Sequence, residues 1–442
     1  MHRRAYIGVA LGVLLLGVFL IQPFSNQYGV NNTDFRGIAL AGEAVALDCQ
    51  FGDIDNHPWG VGVMREMVRL GILQGYPGQV TDTYGNPVTK YFAEPEKAIS
   101  RAEFATLLAR SLNLPTKESD VSFGDWWEVP GWARGAVAAL FDRGIVEGTQ
   151  GADGNMYFRP SQEITRAEIA VMVMRALDMD TKIQDGVLGG SQDSALAGAL
   201  DGPQDSLPDS TQGEVNDTGR SETNRIDPGE ANNASHDTAI RNAASDAAVN
   251  NPFCDVREDD WFYDGVLNAY RQGIVNGRTD TSFSPAMSAK RVEVMTILHR
   301  MLEKDGSFSP ADGELVGLVD DYYGRAQNYL RGGGSKDLQA ILTGGAAYSF
   351  STGGVGVLES TPLPGDIAVR IISGDGGTEV ITKSGRLARV SRDTVIHLEP
   401  ENETIPRLRI AVQEDFSLFR TTAGWKIYSV EVKSSKITEV FG

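Results

Sequence analysis

One order of residues occurs three times in this chain, and it limits the fold more than any other feature. Each copy opens on aromatic-x-Asp, then carries a tryptophan, a helical stretch ending in Gly-Ile-x-x-Gly, a proline near an aromatic residue, and an arginine heading a second apolar run. The first copy has Phe51, Asp53, Trp59, Gly71, Ile72, Gly75, Pro95 and Arg101. The second has Phe123, Asp125, Trp132, Gly144, Ile145, Gly148, Phe158, Pro160 and Arg166. The third has Phe253, Asp255, Trp261, Gly273, Ile274, Gly277, Phe283, Pro285 and Arg291. Aspartate precedes the first glycine by 18, 19 and 18 residues, and proline precedes arginine by six in every copy. Only the stretch before the proline varies in length, and in the first copy YPGQVTDTYGNPVTKY reads as an inserted, turn-rich excursion.

The local chemistry of one copy predicts helix, loop, helix. From Trp132, the residues Ala136, Val137, Leu140 and Phe141 recur at helical spacing, and Gly144 follows as a C′ residue free to take left-handed φ. In AISRAE and ITRAE, Ser100 or Thr165 is an N-cap, and Glu103 or Glu168 three residues on completes a capping box. The third copy reads SAKRVE, so Lys290 replaces the capping hydroxyl, the box is lost and Glu293 remains. Ile169, Met172, Val173, Ala176 and Leu177 then line one helical face.

The triplicate pattern, with its Thr-Arg-Ala-Glu second-helix motif, resembles the S-layer homology domain. That resemblance implies a pseudo-threefold helical module holding an exported protein on the cell envelope by gripping a secondary cell-wall polysaccharide, often one bearing ketal-linked pyruvate. It implies no catalysis. Other envelope or surface-layer proteins are further candidate partners.

The residues themselves offer a chemistry for such a grip. An arginine just inside a helix start brings a guanidinium fork for a carboxylate, together with unpaired N–H groups at the positive end of the helix dipole. Arg101, Arg166 and Arg291 recur at one register, which favours a ligand-facing role over the alternative, a plain capping box whose exposed arginine needs no ligand. Trp59, Trp132 and Trp261 are candidates for the apolar face of a sugar ring. Asp53, Asp125 and Asp255 either cap the first helix or accept sugar hydroxyls. Two competent grooves and an altered third are expected.

The organisation follows from texture. At 442 residues the chain exceeds one ordinary core. His2, Arg3 and Arg4 before an uncharged apolar run make residues 1–27 a signal peptide or an N-terminal anchor. The repeats occupy 45–115, 118–180 and 251–305, with an acidic linker at 181–250 whose lack of aromatic residues predicts disorder. Residues 306–345 read as a helix and a Gly-rich linker, with the helix over 314–330. The remainder, 346–442, alternates in seven short runs separated by SGDGG, KSG and other breaks, and predicts an all-β sandwich or barrel. Its GGTEVITKSGRLARVSRDTVIHLE run has a faint likeness to FecR-like envelope domains. The fold class expected is thus multidomain, all-α repeats followed by an all-β domain.

Net charge of −19 excludes an ordinary nucleic-acid partner. Cys49 and Cys254, each at the entrance of a repeat, are either one disulfide or two free thiols. The five histidines lack metal spacing, GADGN at 151–155 reads as a turn before a calcium loop, and neither a Gly-x-Ser-x-Gly elbow nor a nucleotide loop occurs. No cofactor and no metal are therefore expected. The function expected is non-enzymatic anchoring; the alternative is an envelope enzyme or sensor active in 314–442.

Overall fold

The computed structural model describes residues 51–81, 84–117, 119–184, 251–330, 335–352, 367–400 and 407–440. The chain divides into two units, Lys182–Asn251 and the remainder. The expected signal or anchor, and all but the first residues of the expected linker, lie outside the described residues.

Each repeat contributes two helices. In the first these are α1 (Val61–Arg69) and α2 (Arg101–Ser111), with a hairpin between them, β1 (Tyr76–Thr81) and β2 (Pro87–Phe92). The second has α3 (Gly131–Phe141), the two-residue strands β3 (Thr149–Gln150) and β4 (Met156–Tyr157), and α4 (Arg166–Gln184). The third has α5 (Tyr263–Arg271) and α6 (Arg291–Lys304). The repeats are therefore not all-α: the excursion in the first copy pairs with itself, Tyr76 opposite Phe92 and Thr81 opposite Pro87. Gly71, Gly144 and Gly273 take positive φ where the first helices stop, as the C′ reading requires. Helix α4 runs to Gln184, past the point where the linker was expected to begin.

The repeats close on one another in a ring. The Ile164 N–H donates to the Ile99 carbonyl, Ile99 N–H to Ala289, and Ala289 N–H to Ile164, at 2.9, 3.2 and 3.2 Å. All three residues are fully buried, so this cycle marks the pseudo-threefold axis. Around it, the first helix of each repeat packs on the second helix of the one before. A Cβ on Gly60, at the start of α1, would stand 2.3 Å from Val292 in the first turn of α6, and one on Gly265 in α5 would stand 2.7 Å from Val171 in α4. The helices approach at those points because neither glycine has a side chain.

The C-terminal part is one open sheet, neither a sandwich nor a barrel. Four strands, β5 (Ile367–Lys383), β6 (Leu387–Pro400), β7 (Arg407–Thr421) and β8 (Gly424–Val440), form an antiparallel meander in sequence order. Seven alternating runs become four long strands because three of the breaks between them lie inside strands, one of them as a bulge. The pairing jumps between Ser373 and Thr378, so SGDGG is crossed within β5 where a turn was expected, whereas KSG does turn the chain into β6.

Helices α7 (Asp312–Leu330), α8 (Lys336–Gln339) and α9 (Gly344–Thr352) accompany this sheet. α9 occupies residues expected to begin the β region. Leu315, Val319, Tyr322 and Tyr323 of α7 pack against Val390, Phe416, Leu418 and Ile427, covering the apolar face that an open sheet must bury.

The sheet is also joined to the repeats. Phe419 and Tyr428 enter the repeat core, and the Tyr428 hydroxyl donates to Glu66 on α1. The Gly385 N–H donates to the Asp305 carbonyl just after α6 at 2.7 Å, and Arg386 donates to the Leu112 carbonyl just after α2 at 3.1 Å. These contacts lie at the C-terminal ends of the helices, away from the arginine-bearing starts.

Candidate functional site

The three arginines begin their helices as expected, but they point inward and across. Arg101 donates from Nε to the Phe158 carbonyl of the second repeat at 2.7 Å, Arg166 to the Phe283 carbonyl of the third at 2.9 Å, and Arg291 to the Ala93 carbonyl of the first at 2.7 Å. Only 7, 7 and 4 % of their surface is exposed. Each guanidinium also lies over a ring of the repeat it enters: Phe158 at 5.4 Å, Phe283 at 4.6 Å and Tyr76 at 4.8 Å. Burial pulls the guanidinium pKa of Arg101 and Arg166 down from the usual value.

The helix starts are occupied too. The N–H groups of Arg101, Arg166 and Arg291 donate to the carbonyls of Gln162, Met287 and Lys97, and those of the next residues to Pro160, Pro285 and Pro95. In the first two repeats the third N–H is held by the capping box, Glu103 N–H on Ser100 Oγ at 3.2 Å and Glu168 N–H on Thr165 Oγ1 at 3.3 Å. The expected row of unpaired N–H groups for an anion is therefore corrected: neighbouring repeats consume it.

The box glutamates work in two directions. Glu103 and Glu168 each accept the N-cap N–H at 2.8 Å through one oxygen. The other oxygen meets the preceding repeat's arginine, Arg291 at 3.5 Å from Glu103 and Arg101 on Glu168. The third repeat keeps half the box, since Glu293 accepts from Lys290 N–H at 3.0 Å, while its other oxygen takes Arg278 at 2.8 Å. Arg166 turns instead to the Asn276 carbonyl at 2.6 Å. The contacts of Arg166 and Glu293 thus differ from those at the other two helix starts.

Tyr76 adds a polar group that the repeat pattern concealed. Its hydroxyl sits between Glu103 and Arg291, donating to the former and accepting from the latter at 3.0 Å. Burial, helped by the bond to Glu103, raises its pKa to about 12. Burial also pushes Glu103 upward, but hydrogen bonds from Tyr76 and Ser100 and the charge of Arg291 outweigh it and leave the carboxyl below its usual value. Tyr76 lies at the start of the inserted hairpin, where turn-rich composition was the stronger signal.

The aspartates neither cap the first helices nor stand free. Asp53 accepts from Ala93 and Glu94 N–H, Asp125 from Phe158 and Arg159 N–H, and Asp255 from Phe283 and Ser284 N–H, all at 2.6–2.8 Å. The second residue of each pair, Glu94, Arg159 or Ser284, has positive φ. Each aspartate thus clamps a left-handed loop residue, and the carbonyl presented beside it, of Ala93, Phe158 or Phe283, is the one that receives an arginine.

The tryptophans are the outward-facing members. Trp59, Trp132 and Trp261 are 62, 60 and 68 % exposed. Trp59 immediately precedes Gly60, which touches Val292, so it stands at the same end of its helix pair as Arg291. By the repeat register Trp132 accompanies Arg101 and Trp261 accompanies Arg166. Trp127, 74 % exposed, adds a further indole in the second repeat. Cys254 is exposed and Cys49 lies outside the described residues.

Residues 50–80, 122–170 and 252–294 match the model of the S-layer homology domain. The chain is 27 % identical over 292 residues to an amylopullulanase of Thermoanaerobacterium thermosulfurigenes, which covers 65 % of this chain and 11 % of that protein. It is 26 % identical over 295 residues to the exoglucanase XynX of Acetivibrio thermocellus, covering 65 and 19 %. It is also 31 % identical over 134 residues to the S-layer protein sap of Bacillus anthracis, covering 30 and 14 %. The chain thus spans less than a fifth of the length of these relatives. Three of its segments match the S-layer homology domain, and the chain is an exported, cell-surface protein.

Proposed function

We propose that the three repeats are a non-enzymatic anchor that grips an acidic secondary cell-wall polysaccharide, a pyruvylated one in the fullest form of this reading, and that the C-terminal sheet is held at the surface by them. The observation that carries it is the threefold placement of exposed tryptophans beside buried, arginine-pinned helix starts. An exposed indole is a flat apolar platform for a sugar ring, and water covers it at a cost when no ring is there. Arg101 and Arg291 are paired with Glu168 and Glu103, whereas Arg166 is held by the Phe283 and Asn276 carbonyls and brings the least compensated positive charge to the helix starts. The surface-layer relative favours attachment, and the glycosidase relatives fit the same reading, since the likeness covers so small a part of them.

The test is binding of the full chain to purified wall polysaccharide before and after removal of its acidic substituents. Trp59→Ala, Trp132→Ala and Trp261→Ala together should abolish binding with little change in unfolding midpoint, and removal of the acid should weaken binding at least tenfold. Retained binding by the triple variant would refute the groove assignment.

A further inference from the structure

The geometry points to a second polyanion-binding surface, on one face of the C-terminal sheet at the end remote from the KSG turn. Cross-strand register brings its residues together. Arg370 on β5 stands opposite His397 on β6, which stands opposite Arg409 on β7. One step along the same face, Ala411 stands opposite Lys436 of β8, and Arg407 lies two residues before Arg409, so both share that face. Five cationic or titratable side chains from four adjacent strands therefore meet at one end of one face.

Among the described residues, one of the five has an ionic partner. Arg370, Arg407 and Lys436 are exposed, and His397 and Arg409 are half-buried. Arg370 pairs with Glu399 at 3.3 Å. Among the described residues, the side chains of Arg407, Arg409, Lys436 and His397 make no hydrogen bond or ion pair, and Glu399 is the one carboxylate that pairs with this group. Like charges directly opposite one another across strands are destabilising. Their concentration in a chain of net charge −19 is the opposite of what its composition would place there by chance.

The chemistry selects the occupant. Guanidinium groups bind carboxylate and phosphate oxygens through paired N–H bonds. Arg370 and Arg409 are two strands apart, about 10 Å at the usual strand spacing, farther than a single carboxylate or phosphate reaches. The surface fits a linear polymer carrying repeated carboxylates or phosphates, laid across the strands. It does not depend on the tryptophan grooves, and two weak contacts on one polymer network would hold the chain more tightly than either alone.

The test uses the full chain with polygalacturonate as the carboxylate polymer, poly(glycerol phosphate) as the phosphate polymer, and phosphatidylglycerol vesicles. Wild-type protein should bind one or both polymers, with affinity falling steeply as salt rises. The variant Arg407→Ser/Arg409→Ser/Lys436→Ser should lose at least tenfold in affinity and most of the salt dependence, with an unchanged unfolding midpoint. The variant lacking the three groove tryptophans should still bind, which separates this surface from the grooves. No binding by wild type, binding to vesicles alone, unchanged binding by the cation variant, or loss in the tryptophan variant only, would each overturn the assignment.

Discussion

Arg291 in the third repeat donates its Nε proton to the Ala93 carbonyl of the first, 2.7 Å away and 198 residues earlier in the chain. It completes a cycle in which every repeat inserts one arginine into the next. Replacing it with alanine removes the donor to a buried carbonyl and the partner of Glu103, so Arg291→Ala should cost about 2–4 kcal/mol in urea unfolding of the full chain. Arg291→Lys should recover only part, because an ammonium does not reproduce the forked contacts to Ala93, Tyr76 and Glu103. A midpoint within experimental error of wild type would mean that the ring is held elsewhere.

The aspartate clamp predicts a stability loss of a different kind. Asp125 is buried and satisfies two backbone N–H groups, so Asp125→Ala should cost about 2–4 kcal/mol by leaving both unpaired next to Arg159, whose φ is +56°. For Asp255 the effect is readable in pH. Burial acts to raise its pKa, yet bonds from Phe283, Ser282 and Ser284 outweigh this and hold it below 3.8. Its contribution is present above about pH 3.8 and lost as pH falls through the lower folded value. Asp255→Asn should therefore flatten unfolding free energy against pH below 4. A slope identical to wild type would contradict the clamp.

These two roles show what the sequence could and could not convey. Registered spacing located the helix starts, the glycine stops and the three-copy architecture, because those depend on near neighbours. It could not tell whether a recurring arginine faces a ligand or an adjacent repeat, since both preserve register. The aspartate partners lie 40, 33 and 28 residues downstream, offsets made unequal by the connection between the two helices, which differs in length in each repeat, so no common spacing revealed them. In the sheet, alternation found the strands, but a bulge in β5 looks like a turn when its partner strand is unknown.

Cys49 and Cys254 open the first and third repeats, which meet at the α1–α6 contact. A disulfide between them would close a loop of about 200 residues and restrict the unfolded chain by about 5 kcal/mol. Cys254 is free among the described residues, so peptide mapping of secreted protein without reductant decides between the two readings: a Cys49–Cys254 cross-link, with Cys254→Ser lowering the unfolding midpoint, or two thiols. Two alkylatable thiols in that material would exclude the bond.

Glu414 supplies the prediction with the sharpest sign. It is 2 % exposed on β7, accepts the Tyr323 hydroxyl of α7, and lies near Arg392, which rests over the Tyr323 ring and pairs with Asp320 of the same helix. Burial raises its pKa from 4.5 to about 7, against the opposing effects of Tyr323 and Arg392. A carboxyl raised in the folded state takes up a proton on folding, so its contribution is full below about pH 4.5 and is lost as pH rises through 7. The difference corresponds to about 3 kcal/mol if the whole shift is expressed. Glu414→Gln keeps the neutral form at every pH. The unfolding free energy of that variant relative to wild type should therefore rise between about pH 4.5 and 7 and level off above that, measured by urea titration with Tyr323 and Arg392 left in place. A difference that stays constant across that range would show that Glu414 does not titrate within the sheet, and that its bond to Tyr323 holds α7 in the charged form.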